Sequence, residues 1–331
     1  GSSTFSGGLV RTSSPNSIVI ADDAVVTAAS TSFDTTNNGN LAAGANITFA
    51  KTLNGSTNNG QAVTLNAGTN GVVLVSGAIG NTAPLSTLTL TNSYGATFAA
   101  PVSTGTSVVL TDTVAGQTIR FADNLSTPVL TTTANGYNVE LLGTATNVSA
   151  ANTATTFLNT GNLVLGNAAG DTLTFAGGLT ATAVNSISMG GAISTNNAGI
   201  TLGSTAITLN ANTSLSAGTG AISFNSTVDS AAGTTQALSI NSTGVTTFNN
   251  KMGYTDALAS LTTNTGGSLV LNAGSITTTG NQTYGEATTL AQATTLNAGA
   301  GDVTFSNTVD SAAGTTQALS INSTGVTTFN N

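Results

Sequence analysis

Asp229–Asn250 reads DSAAGTTQALSINSTGVTTFNN, and Asp310–Asn331 repeats it letter for letter. The match runs wider: Phe224–Asn250 and Phe305–Asn331 differ only where Asn225-Ser226 becomes Ser306-Asn307. The offset is 81 residues, and at the same offset ITLNANTSLSAGTGAISF (Ile207–Phe224) aligns with TTLAQATTLNAGAGDVTF (Thr288–Phe305). This super-repeat is clearest over 207–331, and a degenerate copy lies near 64–98. Self-similarity at fixed spacing is the mark of stacked structural units.

Within the super-repeat, apolar residues come in i, i+2 pairs: Ile222/Phe224, Leu238/Ile240, Leu269/Leu271, Val303/Phe305 and Leu319/Ile321. Earlier pairs include Leu88/Leu90, Ile119/Phe121, Leu163/Leu165 and Leu173/Phe175. Residues two apart point to one face of a strand, so each pair gives one apolar side, with Thr, Ser or Asn opposite. Gly, Asn, Asp and Ser fill the gaps, as turns require. Helical i, i+3, i+4 patterning is nearly absent, and so are the solvent-facing helix formers Lys, Arg and Glu.

The charged fraction is 5%, against about 25% in ordinary globular domains. Disorder does not fit, because 39% of the residues are hydrophobic and they alternate. A β-sandwich explains many short strands but gives no reason for a long duplication. In a solenoid each coil touches only its neighbours, so units are copied without redesigning a shared core. The reading is therefore all-β: one continuous right-handed parallel β-helix (β-solenoid) over residues 1–331. It has roughly 18–24 residues per coil, about four coils per super-repeat and about 16 coils in all. Strand spacing would make this an elongated rod about 75–80 Å long. Asn and Thr at equivalent positions of successive coils are expected to stack in ladders.

The chemistry is bounded by what is missing. There is no His and no Cys, which removes Ser-His-Asp triads, Cys-His nucleophiles, His-ligated zinc and disulfides. Net charge is −8, with only Arg11, Lys51, Arg120 and Lys251 basic. These are too few and too scattered for nucleic acid or an anionic membrane surface. No apolar run approaches the roughly 18–20 residues of a membrane-spanning helix, and no signal peptide is visible. The carboxylates are Asp22, Asp23, Asp34, Asp112, Asp123, Glu140, Asp171, Asp229, Asp256, Glu286, Asp302 and Asp310. Asp22-Asp23 reads as a turn, because adjacent strand residues point to opposite faces. Asp229 and Asp310, one per copy, read as turn formers rather than catalytic acids. Tyr94, Tyr137, Tyr254 and Tyr284 are not visibly clustered and read first as packing residues at strand ends, with stacking on sugars as the alternative. No residue is assigned as catalytic, cofactor-binding or metal-ligating, and no cofactor is expected.

Two stretches carry a family resemblance: ALASLTTNTGGSLVLNAGSITTTGNQTYGEATTLAQATTLNAGAGDVTFSNTVD (Ala257–Asp310) and FLNTGNLVLGNAAGDTLTFAGGLTATA (Phe157–Ala183). They resemble the β-strand-repeat regions of giant bacterial surface adhesins, the filamentous-haemagglutinin-like and autotransporter-type exoproteins. The resemblance is compositional and clearest from about Asn159 to Asn331. It implies an extracellular, cell-surface location and a role in adhesion, biofilm or fibre formation without catalysis. The secretion domain and membrane anchor of such proteins do not appear in this sequence.

The expected partners are carbohydrate or other cell-surface ligands, and further copies of the chain joined end to end through open solenoid ends. No nucleic acid and no membrane insertion by this segment are expected. The alternatives are a polysaccharide-active β-helix enzyme working through carboxylates and, below it, a Thr-row surface- or ice-binding solenoid.

Overall fold

The computed structural model describes residues 1–203 and 205–330; Ser204 and the last residue of the second copy, Asn331, lie outside it. The fold is an all-β parallel solenoid of about 14 turns, with no helix among the described residues. About sixteen were expected from the sequence. The difference comes from the corners, where inserted loops lengthen individual coils. Phe33 pairs with Leu65, 32 residues on, across the loop that follows Asp34, whereas Leu271 pairs with Leu290, only 19 on. The chain forms two compact units, Gly1–Ala150 with Thr155–Val164, and Ala151–Ala154 with Leu165–Asn331.

In the first unit each turn lays down three short strands. One face stacks Ile18–Ile20, Ile47–Phe49, Val73–Val75, Ala96–Phe98, Thr118–Phe121 and Asn138–Leu141 in register. Phe49, Val75, Phe98, Phe121 and Leu141 therefore form one continuous buried column. The Phe98 and Phe121 rings stack at 4.9 Å. A second face runs through Leu9–Arg11, Ser30–Asp34, Ala62–Asn66, Leu85–Asn92, the end of Val102–Leu110, and Val129–Thr132. The i, i+2 pairs of the sequence are the inward residues, as in Ala62–Asn66, where Val63 and Leu65 are fully buried.

The second unit also has three faces, met in the chain order a, b, c. Face a stacks Phe224, Phe248, Leu271 and Leu290. Face b stacks Ile207, Val228, Met252, Ile276, Leu296 and Ile321. Face c stacks Leu215, Ile240, Thr263, Tyr284, Phe305 and Phe329. One residue past the face a column, Asn225, Asn249 and Asn272 form an asparagine ladder. Asn249 Nδ2 donates to Asn225 Oδ1 at 3.0 Å, and Asn272 Nδ2 to Asn249 Oδ1 at 3.4 Å.

These registers show how the duplicate segments are placed. Starting from Phe224 on face a, three full turns reach Leu290, and two more faces reach Phe305 on face c. The super-repeat is thus three turns and two faces long, not four turns. Each duplicated residue moves to another face: Val228 lies on face b but Val309 on face a, and Ile240 lies on face c but Ile321 on face b.

The local hydrogen bonds survive the move. Ser230 Oγ accepts from Gln236 N at 2.9 Å, and Ser311 Oγ accepts from Gln317 N at 2.8 Å. Ser242 and Ser323 donate to the carbonyls of Gly220 and Gly301 at 2.6 and 2.5 Å. Gly233 and Gly314 supply the positive φ of the same corner, at 73° and 77°. Asp229 and Asp310, expected as turn formers, lie within strands Thr227–Ser230 and Val309–Ser311. Ser230 and Ser311 cap the turn instead, because a hydroxyl one residue nearer the corner reaches the amides that the turn leaves free.

Candidate functional site

The site begins at Asp34, the last residue of its strand and 3% exposed. Its carboxylate accepts hydrogen bonds from Thr36 N (2.7 Å), Thr36 Oγ1 (2.6 Å) and Asn38 N (2.7 Å). Burial alone would raise its pKa. The bonds from Thr36 and Asn38, with the charge of Arg11, outweigh that and hold the carboxyl below its ordinary value. The bonds fix an inserted loop that turns through Asn37, Asn38 and Gly39, all at positive φ. Short polar side chains tolerate this left-handed geometry better than most residues do.

The loop stands over a corner groove of about 370 Å³ lined by Thr36, Asn66, Asn92, Thr111, Asp112 and Asn135, among others. Each coil contributes at the same corner. Asp34 pairs in register with Asn66, Asn66 with Asn92, and Thr111 N, one coil on from Asn92, donates back to Leu90 O. Thr133 of the following coil donates its hydroxyl to Thr111 O, and Asn135 Nδ2 donates to the same carbonyl at 3.1 Å. Beneath the groove, Tyr137 is fully buried; its hydroxyl donates to Leu110 O at 2.8 Å and accepts from Thr133 N at 2.9 Å. Burial pushes its pKa up, so it stays a neutral prop.

Several groups in the groove retain hydrogen-bonding capacity. The Asn92 amide oxygen is shielded and has no partner. Asp112 uses Oδ1 to accept from Thr113 N at 2.8 Å. Asn66 donates to Thr36 Oγ1 (3.1 Å) and accepts from Gly68 N (3.3 Å), and so ties loop to wall. Thr69 lines the groove, and Asn70, next in the chain, forms with Tyr94 a second hollow of about 300 Å³.

The other sequence candidates separate by burial. Tyr94 and Tyr254 are exposed, at 46% and 61%, whereas Tyr137 and Tyr284 belong to the core. Lys251 Nζ sits 3.7 Å from the centre of the Tyr254 ring. Asp22 meets Lys51 at 3.9 Å. Asp23 begins a strand and accepts from Thr52 Oγ1 at 2.7 Å, which lowers its pKa. Glu286 is raised to about 6 by burial, but it is 1% exposed and faces inward. Among the described residues no group of three or more acidic side chains could hold a metal ion. No helix there is long and apolar enough to cross a membrane.

Sequence reasoning assigned no site residue: it counted Asp112 among the carboxylates and Tyr94 among the tyrosines, and passed over Thr36, Asn66, Asn92 and Asn135. A signal was present. Asp34, Asn66, Asn92 and Asp112 each close an alternating run, in SFD, TLN, LTN and LTD.

No protein-family model, no curated protein and no solved structure matches this chain. The class that the strand registers define is the parallel β-solenoid.

Proposed function

We propose that this chain is an extracellular structural and adhesive β-solenoid of a bacterial surface protein, acting by binding rather than by catalysis. The observation that supports this best is the duplicated segment. It keeps its corner hydrogen bonds on different faces of the second unit. A catalytic constellation needs one placement on one face, whereas a surface coat tolerates copies that point in different directions. The sparse charge and the Thr, Ser and Asn exterior suit a surface that meets other surfaces by hydrogen bonding. The resemblance of Phe157–Ala183 and Ala257–Asp310 to surface-adhesin repeats agrees with this reading.

Adhesion to a cell-surface or carbohydrate ligand is favoured over self-association as the partner reading, because the polar corner groove offers hydrogen-bonding groups to a ligand of that kind. The test is adhesion of beads coated with the purified chain to cultured cells and to bacterial biofilm, against beads carrying an inert protein of similar charge. Adhesion several-fold above the control is expected. Equal adhesion of the two would overturn the reading.

A further inference from the structure

We infer that the corner groove of the first unit is a binding site for a neutral, linear oligosaccharide, with Tyr94 as its stacking platform. This rests on the adhesive reading above and names the ligand class of one site.

Length and direction come from the coil geometry. Thr36, Asn66, Asn92, Asp112 and Asn135 belong to five successive coils. At ~4.8 Å per coil they span roughly 19 Å along the solenoid. A row of hydrogen-bonding groups at regular spacing suits a polymer with a short regular repeat, laid along the corner.

Chemistry follows from the lining. Hydroxyls, carboxamides and one carboxylate line the groove with small residues, and no large apolar side chain enters it. Such a set exchanges donors and acceptors with sugar hydroxyls, each of which is both. Asp112, whose Oδ1 accepts from Thr113 N, keeps its second carboxylate oxygen as the position where a ligand hydroxyl adds a bond instead of replacing one. Tyr94, half-exposed, lines with Asn70 a hollow that adjoins the groove through Thr69, the residue before Asn70. Aromatic faces recognise the apolar C–H side of a sugar ring while leaving its hydroxyls wet.

Charge selects the neutral ligand. The protein carries −8 overall, and Asp112 is the charged side chain that lines the groove. A polyanionic glycan would therefore be repelled at the contact and on approach. The Asp34-anchored loop adds rigidity, which lowers the ordering cost of binding.

The experiment titrates the isotope-labelled full chain with neutral hexasaccharides of glucose, N-acetylglucosamine, mannose and xylose, and with a polygalacturonate oligomer as the anionic probe. Amide resonances are followed by NMR. At least one neutral probe is expected to shift residues 36–42, 66–70, 91–94, 111–112 and 135. Tyr94→Ala should weaken that binding about tenfold, the size of one lost aromatic platform. Asn135→Ala should weaken it severalfold, and Tyr254→Ala, on the other exposed tyrosine, should leave it unchanged. Tyr94 and Asn135 are exposed, so both variants keep the fold, which circular dichroism checks.

The inference is overturned if no neutral probe binds, if only the anionic probe binds, or if binding survives both groove substitutions. Coated beads that adhere without any oligosaccharide binding would sink this site and leave the adhesive reading standing. Oligosaccharide binding without bead adhesion would do the reverse.

Discussion

Glu286 offers the sharpest test of the core. It sits between strand Gln282–Tyr284 on face c and strand Ala287–Leu290 on face a, with its side chain turned into the interior. Oε1 accepts from Thr246 Oγ1 at 3.4 Å, while Oε2 is buried without a partner. The Thr263 hydroxyl, which accepts from Gly285 N at 3.1 Å, also acts on the carboxyl and lowers its pKa. Burial is the dominant influence and raises the pKa from 4.5 to about 6; the threonine hydroxyls act weakly against it, and no charged group contributes.

The sign follows directly. The folded chain holds this proton more tightly than the unfolded chain, so the contribution is fully present below pH 4.5 and is lost as pH rises through about 6. At 1.36 kcal/mol per unit, the loss amounts to about 2 kcal/mol at neutral pH. Glu286→Gln keeps the shape without the titration. Urea unfolding and hydrogen exchange of the amides in 260–290 are measured for both proteins between pH 4.5 and 7. Native-state exchange is needed because a solenoid opens locally rather than all at once. The native protein should lose about 2 kcal/mol of local stability across this range relative to the variant. Parallel pH profiles for the two would refute the argument, for they would mean that water or local motion already solvates the carboxylate.

Three further outcomes are expected. Asp34→Ala removes the acceptor for Thr36 and Asn38, so amides 36–39 should exchange at least tenfold faster, with a loss of about 1.5–3 kcal/mol locally. The depressed Asp34 pKa gives the same loop a dependence in acid: its contribution is present above pH 3.8 and lost as pH falls below it. Phe248 and Phe329 occupy the same place in the two copies, yet Phe248 is fully buried and Phe329 is 50% exposed. Phe248→Ala should cost about 3–5 kcal/mol and Phe329→Ala less than half of that, read by denaturant unfolding. Gly253→Ala should cost at least about 2 kcal/mol in the same assay, because φ is +61° and a Cβ would lie 2.0 Å from the Thr277 carbonyl oxygen.

The sequence by itself determined which residues point inward and where the chain turns. Pairs such as Ile222/Phe224 and Leu238/Ile240 announce strands, and the duplicated Ser-Ala-Ala-Gly corner folds identically in both copies, because these choices rest on φ, ψ and neighbours a few residues away. Stacking also followed from repetition, since a short strand with one apolar side is stable only against another like it.

Only the tertiary structure decided which face each strand occupies. Alternation encodes inside against outside and carries no information about angle around the axis, so an 81-residue period that spans three turns and two faces was read as four turns. The corner groove was hidden for a related reason. Asn66, Asn92 and Asn135 stand more than twenty residues apart and meet only because parallel registers bring one corner of successive coils together. Nothing in the sequence sets Glu286 apart from the other carboxylates. Its burial depends on strands Val245–Phe248 and Ser260–Thr263, which precede it by more than twenty residues, and on the coil spacing that stacks them over it.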